Sequence, residues 1–338
     1  MQILRNYNLN YIRAFTAISV LLTHFGTPSG FLHDYINLYH KLMYLTLWSN
    51  DGLHFGVIMF VVMSGYLIHS TSKDIPIKEY YIKRIIRIYP LFFITATIGV
   101  FTLAPFQYAT YFSNLFLFSS IIPISGPPGN EILITVVVEL VIYLIYPIYR
   151  KWNMYFIVIS SLLIYALNIF FYNFLEINPS FITRNLFTLL LYWNIGAFSS
   201  TLSNKIFITK LNFFIFSLSS ISYLIFTNIF YFKGIHYLWS LILAILFGIF
   251  LIFVFKFKKK IFKFKFLNLL GEAAYSIFAL HFLIYRLFIN YFVLNSINYI
   301  ILIVLTLFLS ILSYFFIEQP INNFRYKLIV HPKKKIAF

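Results

Sequence analysis

The sequence predicts an all-α fold: a polytopic membrane helical bundle of about ten transmembrane helices, with N-terminus and C-terminus cytoplasmic. Three observations carry this. Of 338 residues, 61% are hydrophobic and 10% charged, with mean hydropathy +0.85, whereas soluble domains carry about 25% charged residues. Apolar runs of spanning length recur along nearly the whole chain. Basic residues alternate in density loop by loop: with the N-terminus inside, 21 of the 26 Lys and Arg fall on the cytoplasmic side.

The spans read as 9–26, 53–71, 85–104, 131–149, 154–174, 181–201, 211–232, 235–256, 269–291 and 297–318. A further apolar stretch, 108–124, is broken by Pro123 and by Gly126-Pro127-Pro128-Gly129. It reads as a re-entrant or interfacial helix. Residues 1–325 read as one transmembrane domain and 326–338 as a basic cytoplasmic tail on the membrane surface. The first run has no small-residue cleavage site after it and is read as a retained span. No internal repeat is visible, which weighs against repeat-built transporter folds.

The first span holds Arg13 and His24, eleven residues apart. That is close to three helical turns, so both side chains share one face, roughly 16 Å apart along the axis. A lipid-facing surface should avoid both, so the face turns toward protein or water. Ser64 and Gly65 end the second span; they read equally as a packing notch or a functional turn. Lys83, Arg84 and Arg87 cluster at the cytoplasmic mouth of the third. Taken alone they fit the positive-inside pattern, yet such a group also suits a phosphate-rich ligand.

Glu139 lies halfway along its span with no charged neighbour in sequence. A carboxylate there needs pairing, protonation or water. An ion pair with Arg13 and a catalytic or orienting role are both open readings. His281 is the second intramembrane histidine, and Arg286 a turn later can snorkel outward. Glu318 and Pro320 close the last span, where proline reads as a helix stop. His54, His69, Asp51 and Glu272 lie near interfaces and read as solvated.

The net charge of +17 follows from the positive-inside pattern, so nucleic acid is not an expected partner. With no cysteine there is neither disulfide nor thiolate chemistry. No His-x-x-x-His or His-x-x-Glu pair occurs inside a span, so no metal site is expected. No glycine-rich phosphate loop is present; phosphates would be held by side chains such as Arg84 and Arg87.

Six stretches in order resemble the integral-membrane acyltransferase family 3, which includes bacterial enzymes that O-acetylate surface glycans. They are the Arg13–His24 spacing, GVIMFVVMSGYLI (56–68), KRIIRIYP (83–90), TVVVELVIYLIYP (135–147), LGEAAYSIFALH (270–281) and SYFFIEQP (313–320). The resemblance runs from Tyr11 to about Phe324. Three positions depart from the family pattern. Ile134 replaces a tryptophan five residues before the glutamate, Lys83 one arginine of a pair, and Ile58 an acidic residue. A lysine binds phosphate less bidentately than arginine.

The resemblance implies transfer of an acyl group, usually acetyl from acetyl-CoA, to a carbohydrate hydroxyl, with no permanently bound cofactor. It implies a multi-pass protein of the bacterial cytoplasmic (inner) membrane whose partners are acyl-CoA, a surface or lipid-linked glycan and the bilayer. By the same resemblance Arg13 and His24 are the central pair, and Lys83, Arg84 and Arg87 serve acyl-CoA recognition or local structure. Glu139 and Ser64-Gly65 match characteristic family positions. No fused SGNH-type domain is expected after the last span.

On this reading Arg13 lies with the basic cluster at the cytoplasmic end, and His24 sits three turns deeper. Neutral His24 would act as general base on the sugar hydroxyl; an acyl-histidine intermediate is the other route. Glu139 or His281 would orient or charge-balance His24. The rival from another class is a proton-coupled transporter or flippase of a lipid-linked glycan, which also uses intramembrane Arg, His and Glu. Dependence on acetyl-CoA separates the two. These motifs do not encode the oligomeric state.

Overall fold

The computed structural model describes residues 7–46, 54–103, 107–121, 126–174, 186–203, 205, 236–256 and 264–330. Among them all regular structure is helical, and an isolated β-bridge joins Ser29 and Asn295. In chain order the helices are α1 (Tyr7–His24), α2 (His33–Thr46), α3 (Phe55–Ser72), α4 (Ile77–Leu103), α5 (Tyr108–Leu115), α6 (Ile134–Tyr149) and α7 (Met154–Phe174). There follow α8 (Leu186–Ser203), α9 (His236–Lys256), α10 (Lys265–Glu272), α11 (Ala274–Ile289), α12 (Ser296–Ser313) and α13 (Gln319–Val330).

Among the described residues, six helices are long and apolar enough to cross a membrane, or seven if α10 and α11, bent by 72° at Ala273, form one span. Of the expected spans, 211–232 lies outside the described residues. α1 and α8 each have 18 residues but fall outside that apolar set. The physical reason lies in their polar residues. α1 buries Asn10, Thr16, Ser19 and Thr23, and α8 buries Thr188, Asn194, Ser199 and Ser200. A helix walled by protein has less need of an apolar surface than one facing lipid.

One expectation changes at the last span. Pro320 does not stop the helix, which continues through it to Val330. A single π turn, Tyr314–Glu318, immediately precedes Gln319 and Pro320. Proline ordinarily breaks a helix because it cannot donate to the carbonyl four residues back and its ring crowds that carbonyl. A π turn moves pairing to the fifth residue and widens the helix there, which relieves both problems. Of the stretch 108–124, residues 122–124 lie outside the described residues; the rest holds the eight-residue α5 and a 3₁₀ turn, Phe118–Ser120, joined through Leu117 at φ 67°.

The chain divides into two compact units. The first comprises Met1–Phe31, Asp74–Tyr149 and Lys263–Phe338. In it α1 packs on α10 and α11, α11 on α12 and α4, and α4 on α6 and α13. Gly271 lets α10 press against α1, because a Cβ there would overlap the Asn10 carbonyl. The second unit comprises Leu32–Lys73 and Arg150–Phe262. There α8 packs against α3, α7 and α9. The α3–α8 crossing is made by two glycines: a Cβ on Gly65 would overlap the Trp193 carbonyl, and one on Gly196 the Val62 carbonyl. Small residues let the two backbones approach this closely.

Candidate functional site

Arg13 and His24 lie on one unbroken helix, α1, as their spacing requires. Both are half-buried. The helix brings two groups of side chains together, one near each end, and both belong to the first unit.

At the His24 end, His24 Nδ1 lies 3.0 Å from His281 Nε2, with ring centroids 5.1 Å apart. His281 is fully buried in α11. Phe282 meets His24 edge-on at 6.0 Å. The chain after His24 is pinned to the start of α12. Phe25 stacks on Tyr285 at 5.5 Å and meets Tyr299 edge-on at 6.1 Å. The Ser29 amide donates to the Leu294 carbonyl at 2.9 Å, and the Ser29 carbonyl accepts from the Ser296 amide and hydroxyl, each at 2.8 Å. These contacts fix where α1 ends, and so where His24 points.

Near the other end, Arg13 is held by a polar chain absent from the sequence reading. Arg13 Nη1 donates to Asn10 Oδ1 at 3.5 Å, and Asn10 Nδ2 donates to Asn268 Oδ1 at 2.8 Å. Asn268 Nδ2 donates to Glu272 Oε1 at 3.0 Å, and the Tyr314 hydroxyl to Glu272 Oε2 at 3.0 Å. Glu272 is therefore an anchor between α10 and the π turn, not merely a solvated interfacial residue.

Arg13 lies within electrostatic range of Arg84, Arg87, Tyr143 and Glu318. Arg325 on α13 joins the same neighbourhood: its Nη1 donates to the Lys83 carbonyl at 2.9 Å, and it is within range of Arg84 and Arg87. Lys83 is different. Its ammonium pairs with Glu79 at 2.6 Å, one turn back on α4. The α4 backbone that presents these arginines is fixed from two sides. The Tyr275 hydroxyl donates to the Ile88 carbonyl at 2.8 Å, and the Tyr81 hydroxyl to the Leu144 carbonyl at 2.9 Å.

Glu139 is half-buried and accepts a short hydrogen bond from Tyr143, one turn along α6. Glu318 is buried in the π turn and accepts from the Ser276 hydroxyl, which is 3.3 Å from that of Ser313. π turns are frequent at functional sites because they re-aim a side chain without ending the helix. Glu318 lies within electrostatic range of Arg13 and Arg87. Four cationic guanidinium groups and two carboxylate residues thus gather within one unit. Arginine forks bind phosphate oxygens bidentately.

Ser64 and Gly65 belong to the second unit. Ser64 Oγ accepts from Trp193 Nε1 at 3.3 Å, beside the Gly65–Trp193 crossing. Among the described residues no three His, Cys, Asp or Glu side chains converge as a metal-binding set.

Asn10, Asn268, Tyr143, Tyr275 and Ser276 are not singled out by the sequence. Uncharged polar residues are common in such helices, and only Tyr143, at i+4 from Glu139, stood at a telling spacing. No curated protein and no solved structure matches the chain. A family model does: the acyltransferase domain of the acyltransferase 3 family matches residues 6–315. With the match covering nearly the whole chain, this protein belongs to the acyltransferase 3 family and is an acyl-transferring enzyme.

Proposed function

We propose that the protein transfers an acetyl group from cytoplasmic acetyl-CoA to a hydroxyl of a surface or lipid-linked glycan, in the bacterial cytoplasmic membrane. Arg84 and Arg87, with Arg13 beside them, hold the CoA phosphates, and Lys83 sits at the rim of that group. The thioester end extends along α1 toward His24. His24 takes the proton from the acceptor hydroxyl, whose oxygen attacks the thioester carbonyl carbon. The carbon–sulfur bond breaks, and the departing CoA thiolate recovers the proton from His24. Glu139 and Glu318 balance the charge of the arginines.

The observation that supports this most is that half-buried His24 stands on the same helix as Arg13, three turns on, or roughly 16 Å. The donor's charged end and the base are separated by the reach of an extended arm, on a rigid element.

The test uses membrane vesicles carrying the full chain, with radiolabelled acetyl-CoA on the cytoplasmic face. Wild type labels a glycan or lipid fraction. His24→Ala inserts normally and loses on the order of 10²–10⁴-fold in rate, the usual contribution of a positioned general base. Equal labelling by His24→Ala removes His24 from the chemistry. No labelling by correctly inserted wild type, with native glycan present, removes acetyl-CoA as donor.

A further inference from the structure

The protons of the two facing histidines can be assigned from their surroundings. His281 Nδ1 lies 3.0 Å from the Ile277 carbonyl oxygen and 2.9 Å from that of Phe278. A carbonyl only accepts, so His281 Nδ1 carries a proton and donates. His281 is fully exposed to protein and not at all to solvent, and among the described residues no carboxylate bonds to it. A second proton would bury a full charge without a counter-charge, which is costly. The neutral ring therefore keeps a lone pair on Nε2. That lone pair faces His24 Nδ1 at 3.0 Å. Two lone pairs would repel at this distance, so His24 Nδ1 must carry the proton between them.

We infer that His281 is a positioning residue that locks His24 in its Nδ1–H tautomer, leaving Nε2 as the nitrogen that accepts the hydroxyl proton. This rests on the general-base reading of His24. Burial divides the labour: half-buried His24 can meet a substrate, whereas His281 cannot. When His24 Nε2 takes the proton, its Nδ1–H still donates to His281, whose lone pair then faces an imidazolium. The same bond thus holds the ring before the transfer and steadies its charge during it, a part often played by a carboxylate. Here the acceptor is itself held in one tautomer by two carbonyls of its own helix. The ultimate orienting group is the α11 backbone.

The test reads the tautomer directly. Full-length protein with ¹⁵N-labelled histidine is reconstituted in liposomes and studied by solid-state NMR, with His24→Ala giving the assignment. In wild type, His24 shows a protonated Nδ1, a non-protonated Nε2 and a coupling from Nδ1 across the hydrogen bond to His281. In His281→Leu the coupling vanishes and His24 redistributes between tautomers. In His281→Gln, whose amide oxygen can accept in the same place, the wild-type tautomer persists. A proton on His24 Nε2 in wild type, or an unchanged tautomer in His281→Leu, overturns the inference.

In the vesicle assay, His281→Leu loses on the order of 10²-fold in turnover, within the range of positioned acid–base catalysis. Its KM for acetyl-CoA stays unchanged, and His281→Gln recovers most of the turnover. Full turnover in His281→Leu, with His24→Ala inactive, overturns the positioning role alone. Activity in His24→Ala overturns the general-base reading instead, and the spectra still decide the tautomer.

Discussion

Buried arginine and histidine do different work in the two units. In the second, both residue types close the ends of one helix, α3. His54 accepts from the Gly56 amide at 3.0 Å at its start, and Arg150 Nη1 donates to the Ser72 carbonyl at 3.2 Å at its finish. Each satisfies a backbone group that a helix end leaves without an intrahelical partner. His54 is 2% exposed, so the solvated interfacial residue expected from sequence is a buried cap. In the first unit two residues of the same types lie beside other ionisable side chains: His24 faces His281, and Arg13 lies among Arg84, Arg87 and Glu318. A buried base opposite an orphan backbone group holds a helix end.

The largest expected effect lies in the second unit and concerns folding alone. Gly196→Leu drives a side chain into the Val62 carbonyl. Overpacking against backbone costs about 3 kcal/mol or more. Detergent-solubilised protein should lose its monodisperse peak and its protease resistance. A folded Gly196→Leu protein would mean that α3 and α8 can separate freely.

Next comes a paired test of the arginines. Under the proposed function Arg87→Ala loses a charged phosphate contact worth about 1.5–3 kcal/mol, which is about 10–150-fold in KM for acetyl-CoA. Arg150→Ala leaves KM alone and lowers thermal stability by about 1–2 kcal/mol, because the Ser72 carbonyl loses a donor. Steady-state kinetics and a thermal melt on both proteins check the contrast. Opposite assignments would break the distinction between cap and site.

Glu272→Leu should cost about 1–3 kcal/mol, since Asn268 and Tyr314 each lose an acceptor. Glu272→Gln should restore part of it by keeping one acceptor oxygen. A melt series of the three proteins reads this. Equal melting of Glu272→Leu and wild type would show that the polar chain behind Arg13 is not continuous.

Smallest is Lys83→Ala. Its pair with Glu79 is a partly exposed i, i+4 contact, worth about 0.3–0.5 kcal/mol. KM for acetyl-CoA should change by about two-fold or less. A change as large as that of Arg87→Ala would put Lys83 among the phosphate-binding groups, not at their rim.

Legibility followed distance along the chain. The Arg13–His24 face and the helix holding it are properties of one segment, and periodicity alone predicts them. Glu139 with Tyr143 is local in the same way. The partner of His24 is 257 positions away, and that of Asn10 is 258 away. Of the two readings of Ser64-Gly65, the packing notch is the one with visible contacts, and these lie on α8, far along the chain. The run through Pro320 was hidden for another reason: no composition marks a π turn, although Pro320 follows one directly.

Hydropathy, charge alternation and helical spacing determined by themselves that this chain is helical and apolar, and that Arg13 and His24 share one face. Its motifs also carried the resemblance to the acyltransferase 3 family. Those quantities depend on neighbours within a few turns. Only the tertiary structure decided that His281 faces His24, that Asn10, Asn268 and Glu272 stand behind Arg13, and that Glu318 turns inward from a π turn. Each depends on how two distant helices are rotated about their axes. One residue of slip turns a helix face by roughly 100°, so such contacts belong to the packed helices and not to either segment alone.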